Sequence, residues 1–318
     1  MKPVRYLLSA VVAASILLAF SWSASADSEV LHGGTNGKAH VMKVKAAKHG
    51  QNSSSNLYYH GGVGGVGVET APAVYVTFWG WSGGQNDPAH VAPYLQNFLT
   101  GVGGSAWLSS TTQYCQGVAS GTYTCGTSGA PAGNPASILK AVWFDDTNPA
   151  PTTPTQTDLA NEAIRTAAQF GNTTSGSNSS TQYVIATATQ HNASGFGVQY
   201  CAWHSSVSSV YGNIAYTNLP YMPDAGASCG AGFVNAGNNL DGVSIVEGHE
   251  LAETYTDQYP NGGWLDRFGS ENGDKCAWIS SGQGAAANVT LPTGTFAVQS
   301  LWSNAFNSNA GGCVQSYP

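Results

Sequence analysis

In the stretch EGHELAETYTD, residues 247–257, His249, Glu250, Glu253 and Asp257 fall at helical spacing. At about 100° per residue, His249, Glu253 and Asp257 advance by roughly 40° each and share one stripe, with Glu250 about 60° from Glu253 on its flank. An imidazole and a carboxylate one turn apart can chelate one divalent cation. A carboxylate beside the first ligand can take a proton from water near that cation. The bland alternative is a His–Glu pair that bonds across one helix turn and nothing more.

The surroundings favour a cation. The chain has 17 acidic residues in 318, and eight of them lie between 241 and 274: Asp241, Glu247, Glu250, Glu253, Asp257, Asp266, Glu271 and Asp274. Only Arg267 and Lys275 stand close in sequence as counter-charges. Like charges at this density oppose folding unless a positive charge sits among them. A zinc site needs a third protein ligand. Glu271 and Asp274 follow His249 by 22 and 25 residues. Glu271 is the first choice, Asp274 is an alternative ligand or an acceptor for the imidazole N–H, and Asp266 is the weakest option. Two carboxylates and one neutral imidazole carry −2, which balances Zn2+ and lowers its Lewis acidity. Ca2+ is the alternative that an oxygen-rich cluster suits, although a histidine ligand argues for zinc.

The elements that must hold these groups belong to an exported chain. Lys2 and Arg5 precede an apolar run from Tyr6 to Phe20, and Ala24-Ser25-Ala26 has the small-x-small form of a cleavage site. Residues 1–26 thus read as a signal peptide and the protein as secreted and extracellular, with no membrane span in the mature chain. Six cysteines in an oxidising compartment predict three disulfides, with sequential pairing (115–125, 201–229, 276–313) the simplest arrangement. The net charge of −7 excludes a nucleic-acid partner, because no basic patch is available for phosphates.

Residues 27–56 read as a flexible N-terminal extension or a propeptide, and 57–318 as one domain. Within it, 71–81 and 138–146 are strand-like, as are 182–189 and 212–220. Helical patterns cover 89–102 and 158–171, the latter with Asp158 as N-cap. A third helix starts with Asp241 as N-cap and stops before Pro260, and short strands and turns fill the last forty residues. Strands alternating with helices predict an α/β or α+β, disulfide-containing domain.

HELAETYTD resembles the active-site helix of thermolysin-type zinc peptidases. On that resemblance His249 matches the first ligand, Glu250 the general base, Glu253 the second ligand and Glu271 approximates the third. It implies a zincin-like helix packed on a sheet. The departure is Glu253, where those peptidases carry histidine. LYYHGGVG (57–64), VYVTFWGW (74–81), DGVSIVEGHELAET (241–254) and ENGDKCAW (271–278) are similar to secreted bacterial proteins of the plant exordium, or phosphate-induced, type. That wider resemblance implies an extracellular, cell-wall-associated role.

Together these readings predict a secreted, zinc-dependent hydrolase acting as an endopeptidase on protein or peptide substrates. His204, His191 and His60 are candidate donors to an oxyanion. The alternatives are a non-catalytic, metal-stabilised extracellular protein of the exordium type and a glycan-binding protein, the latter suggested by nine Trp and fifteen Tyr.

Overall fold

A computed structural model of the chain describes Met1 and residues 31–32, 37–47, 55–84 and 86–316. The rest of the expected signal peptide lies outside them. Runs of β-branched and aromatic residues build one mixed sheet from β1 (Leu31–His32), β2 (Lys38–Lys43), β3 (Ala73–Trp79), β4 (Leu139–Asp145), β5 (Thr181–Thr187), β6 (Tyr200–Ser209) and β7 (Gly212–Leu219). The strand order is β1-β2-β6-β7-β5-β3-β4. The β4-β3-β5-β7 part is parallel, and β6, β2 and β1 add on antiparallel. Both faces of the sheet are covered, so β3 and β5 read as near-continuous apolar runs.

On one face, Val74, Val76, Phe78, Val184 and Ala186 pack with helix α1 (Val91–Val102) and helix α3 (Asp241–Thr256). On the other, Trp79, Tyr183 and Ile185 pack with helix α2 (Gln156–Gln169). The chain is therefore a layered α/β protein, as the alternation of elements predicts. Seven of the nine tryptophans are buried and serve the core.

Two helix starts differ from expectation. The N-cap of α2 is Thr155, not Asp158: the Thr155 hydroxyl accepts from Asp158 N, and the Asp158 carboxylate accepts from Thr155 N at 2.8 Å. This reciprocal capping box satisfies two otherwise orphaned N–H groups, which a single Asp cap does not. Asp241 lies inside α3 rather than capping it. Its carboxylate instead accepts from Val234 N, Asn235 N and the Asn235 and Asn238 amides, and so ties down the preceding loop.

The segment 27–56 requires a correction. Residues 38–43, read as flexible, form β2 and pair with β6, with Ala39, His40, Val41 and Met42 buried. Strand alternation sends Ala39 and Val41 into the α2-side core and Met42 into the α3-side core. Residues 27–30, 33–36 and 48–54 of that segment lie outside the described residues.

The three disulfides are Cys115–Cys125, Cys201–Cys229 and Cys276–Cys313, the sequential pairing. The second anchors β6 to the loop before α3. The third pins the acidic loop that follows α3. Among the described residues, no helix is long and apolar enough to cross a membrane.

Candidate metal centre

Helix α3 is buried along its whole length, wedged between the sheet, α1 and a hairpin of β8 (Ala287–Leu291) and β9 (Gly294–Val298). Leu251, Ala252, Val246 and Tyr255 meet the apolar core. Close packing needs Gly248: a Cβ there would stand 3.1 Å from Trp107 and 3.4 Å from Phe98. The same burial encloses His249, Glu250 and Glu253, each 0% exposed. Buried charges demand partners, and the neighbouring elements supply some of them.

The acidic loop is sewn to α3 by side-chain amides. Asn272 donates to Ala252 O at 3.0 Å and to Thr256 Oγ1 at 2.7 Å. Asp274 N donates to Glu253 Oε1 at 2.8 Å. Gly273 sits so close to the helix that a Cβ would lie 2.7 Å from His249 Nδ1 and 2.9 Å from Glu253 Oε1. The result is one group of possible ligands, His249, Glu253 and Asp274. His249 Nε2 lies 3.0 Å from Glu253 Oε1 and 3.9 Å from Asp274 Oδ1.

Gln299 settles the tautomer of His249. The Gln299 Nε2 donates to Gly273 O at 2.8 Å and to Ser300 O at 3.2 Å, which fixes the amide's orientation. Its Oε1 therefore faces His249 Nδ1 at 3.2 Å, and an acceptor in that place requires the hydrogen on Nδ1. In the neutral ring, Nε2 then presents its lone pair to two carboxylates. That is the arrangement of a metal-binding imidazole oriented from behind.

Glu271, the first choice for third ligand, is directed elsewhere. Its Oε2 lies 2.7 Å from His40 Nδ1 and 3.1 Å from His204 Nε2. These histidines come from β2 and β6, where they are direct cross-strand partners and project from the same face. Asp274, the second choice, takes the place beside His249. Asp266 is engaged away from His249: its Oδ1 accepts from Phe268 N and Ser270 N, and its Oδ2 pairs with Lys275 at 3.1 Å. Asp257, on the predicted stripe, caps the end of α3 by accepting from the N–H groups of Asn261, Gly262 and Gly263.

Glu250 falls with His204 and Glu253 in a second group. Among the described residues, neither of its carboxylate oxygens accepts a side-chain hydrogen bond, and the backbone N–H of Met42 is the one donor that acts on it. Burial, then the charge of Glu271, push Glu250 and Glu253 well above the usual carboxylate range. Burial acts on Glu271 in the same direction, but His40 and His204 outweigh it and hold Glu271 well below that range. For His40, burial favours the neutral ring, yet Glu271 raises it to about 10. Burial thus disfavours charge on Glu250 and Glu253, whereas His40 and Glu271 favour each other's charged forms.

Of the candidate oxyanion donors, His204 lies within the centre. His191 is occupied by Ala150 O and Pro151 O, at 3.0 and 3.1 Å. His60 hydrogen-bonds Tyr58 O and stacks on the Tyr58 ring. Sequence reasoning missed His40 and Gln299. The apolar Ala39, Val41 and Met42 around His40 in KAHVMK are the sequence signal for the first, and the second has none. No family model, curated protein or solved structure matches this chain.

Proposed function

We propose that the chain is an exported, metal-dependent hydrolase of peptide bonds, with a divalent cation, zinc by the donor chemistry, held by His249 Nε2, Glu253 Oε1 and Asp274 Oδ1. The observation that carries this reading is the placing of His249, with Nδ1 3.2 Å from Gln299 Oε1 and Nε2 3.0 and 3.9 Å from the carboxylates of Glu253 and Asp274. One nitrogen and two carboxylate oxygens suit zinc better than calcium. When bound, such an ion supplies Lewis acidity to a substrate carbonyl.

The chain's own residues do the rest. Glu250, next to the first ligand, takes a proton from the attacking water and delivers it to the leaving amine. His204 Nε2 faces Glu271 Oε2 at 3.1 Å and Glu253 Oε2 at 3.7 Å, so it belongs to the carboxylate cluster rather than to an oxyanion site. Asp274, whose side chain is 16% exposed while the other ligands are sealed, marks the side from which substrate reaches the centre. The resemblance of HELAETYTD to thermolysin-type peptidases supports His249 as first ligand and Glu250 as base, while its match for the third ligand is Glu271 and not Asp274.

The complete burial of His249, Glu250 and Glu253 favours a second reading, a closed structural ion in a non-catalytic extracellular or wall-associated protein. Casein or gelatin hydrolysis, with and without 1,10-phenanthroline, separates the two. The peptidase reading predicts cleavage that the chelator stops, and a Glu250→Gln variant that keeps its metal but loses about 100-fold or more of the rate. Cleavage by Glu250→Gln at the wild-type rate, or no cleavage by the metal-loaded wild type, contradicts it.

A further inference from the structure

We propose that the centre holds two cations rather than one, with Glu253 bridging them. The inference rests on the reading that His249, Glu253 and Asp274 bind the first. The second is held by His40, His204, Glu271 and the other oxygen of Glu253.

Geometry carries the argument. Glu253 directs Oε1 to His249 Nε2 at 3.0 Å and Oε2 to His204 Nε2 at 3.7 Å, so its two oxygens serve two different groups of ligands. His40, His204 and Glu271 form the other group, with all three donor atoms within 4.8 Å of one another. Two donors about 2.0–2.1 Å from one tetrahedral zinc stand about 3.3 Å apart. The His40–Glu271, His204–Glu271 and His204–Glu253 separations of 2.7, 3.1 and 3.7 Å bracket that value. Carboxylate-bridged metal pairs lie about 3.5–4 Å apart, a span that one carboxylate covers.

Unmet polar atoms point the same way. Oε2 of Glu253 and Oε1 of Glu271 are buried without a hydrogen-bond partner, on side chains that are 0% exposed. Four carboxylates (Glu250, Glu253, Glu271, Asp274) carry −4, which two divalent cations balance while all three imidazoles stay neutral and able to ligate. The competing arrangement is one cation, with His40 and His204 protonated around Glu271. The two differ in stoichiometry and in what His40 and His204 do.

The test is elemental analysis of the purified full chain after saturation with zinc and removal of the excess. Two zinc ions per chain are expected in the wild type. His40→Gln and His204→Gln are each expected to hold one, while His249→Ala loses the ion of the first group. One ion per chain in the wild type overturns the bridged pair but leaves the first group's reading intact. No ion overturns both. Two ions in the wild type that persist in His40→Gln and His204→Gln also overturn the proposal, because the second ion then sits elsewhere. If those variants fail to fold, the wild-type stoichiometry still decides.

Discussion

The amide of Gln299 grips His249 and Gly273 at once, accepting from Nδ1 of the first at 3.2 Å and donating to the carbonyl of the second at 2.8 Å. One side chain thereby fixes the imidazole's tautomer and the position of the loop that brings Asp274. Replacing it with Met keeps its approximate volume and removes both bonds. Zinc affinity, measured by competition with a chromogenic chelator, should fall about 10–100-fold. Unchanged affinity in a folded Gln299→Met protein would mean that His249 is oriented by something else.

Gly273 has φ −75° and ψ −46°, which any residue can adopt, so only the close approach to α3 requires glycine there. Gly273→Ala forces a methyl group against His249 Nδ1 and Glu253 Oε1. The expected cost is about 1–3 kcal/mol in urea unfolding, as for other overpacked interiors, together with weaker zinc binding. Wild-type stability and affinity would show that the loop moves freely from the helix.

Glu69 supplies a pH dependence separate from the candidate metal centre. Burial pushes its carboxyl up to about 8 from an ordinary 4.5, opposed in part by the bond from Gln182 Nε2 to Oε2 at 3.0 Å. Between these values the native state holds a proton that the unfolded chain has released. Stability is therefore fully present below about pH 4.5 and falls by about 1.4 kcal/mol per pH unit toward pH 8 from this group alone. Glu69→Gln removes that slope, so the variant should gain on the wild type as pH rises from 5 to 8. Parallel stability curves for the two proteins over that range would refute the assignment.

Much of the centre was legible because its core is local. His249, Glu250 and Glu253 are set by helix geometry alone, and the pairing of Cys276 with Cys313 announced that the following loop is pinned. The choice between Glu271 and Asp274 was not legible, since both lie on one short loop and a turn of the backbone decides which faces His249. His40 and His204 meet only because β2 and β6 pair in one register across more than a hundred and sixty residues. Spacing in the chain carries no trace of that. The basic, histidine-rich composition of 27–56 also resembled a solvated tail, whereas strand alternation in KAHVMK buries Ala39 and Val41 on one face and His40 and Met42 on the other. For α2, the capping box displaced the expected Asp158 cap because Thr155 and Asp158 satisfy each other's backbone.

The most direct test of the central claim is an anomalous difference map at the zinc edge, from crystals of the full chain grown with zinc. The account predicts a peak about 2.0–2.2 Å from His249 Nε2, Glu253 Oε1 and Asp274 Oδ1. A map with no peak among these three atoms, while His249 still bonds Gln299, would contradict it.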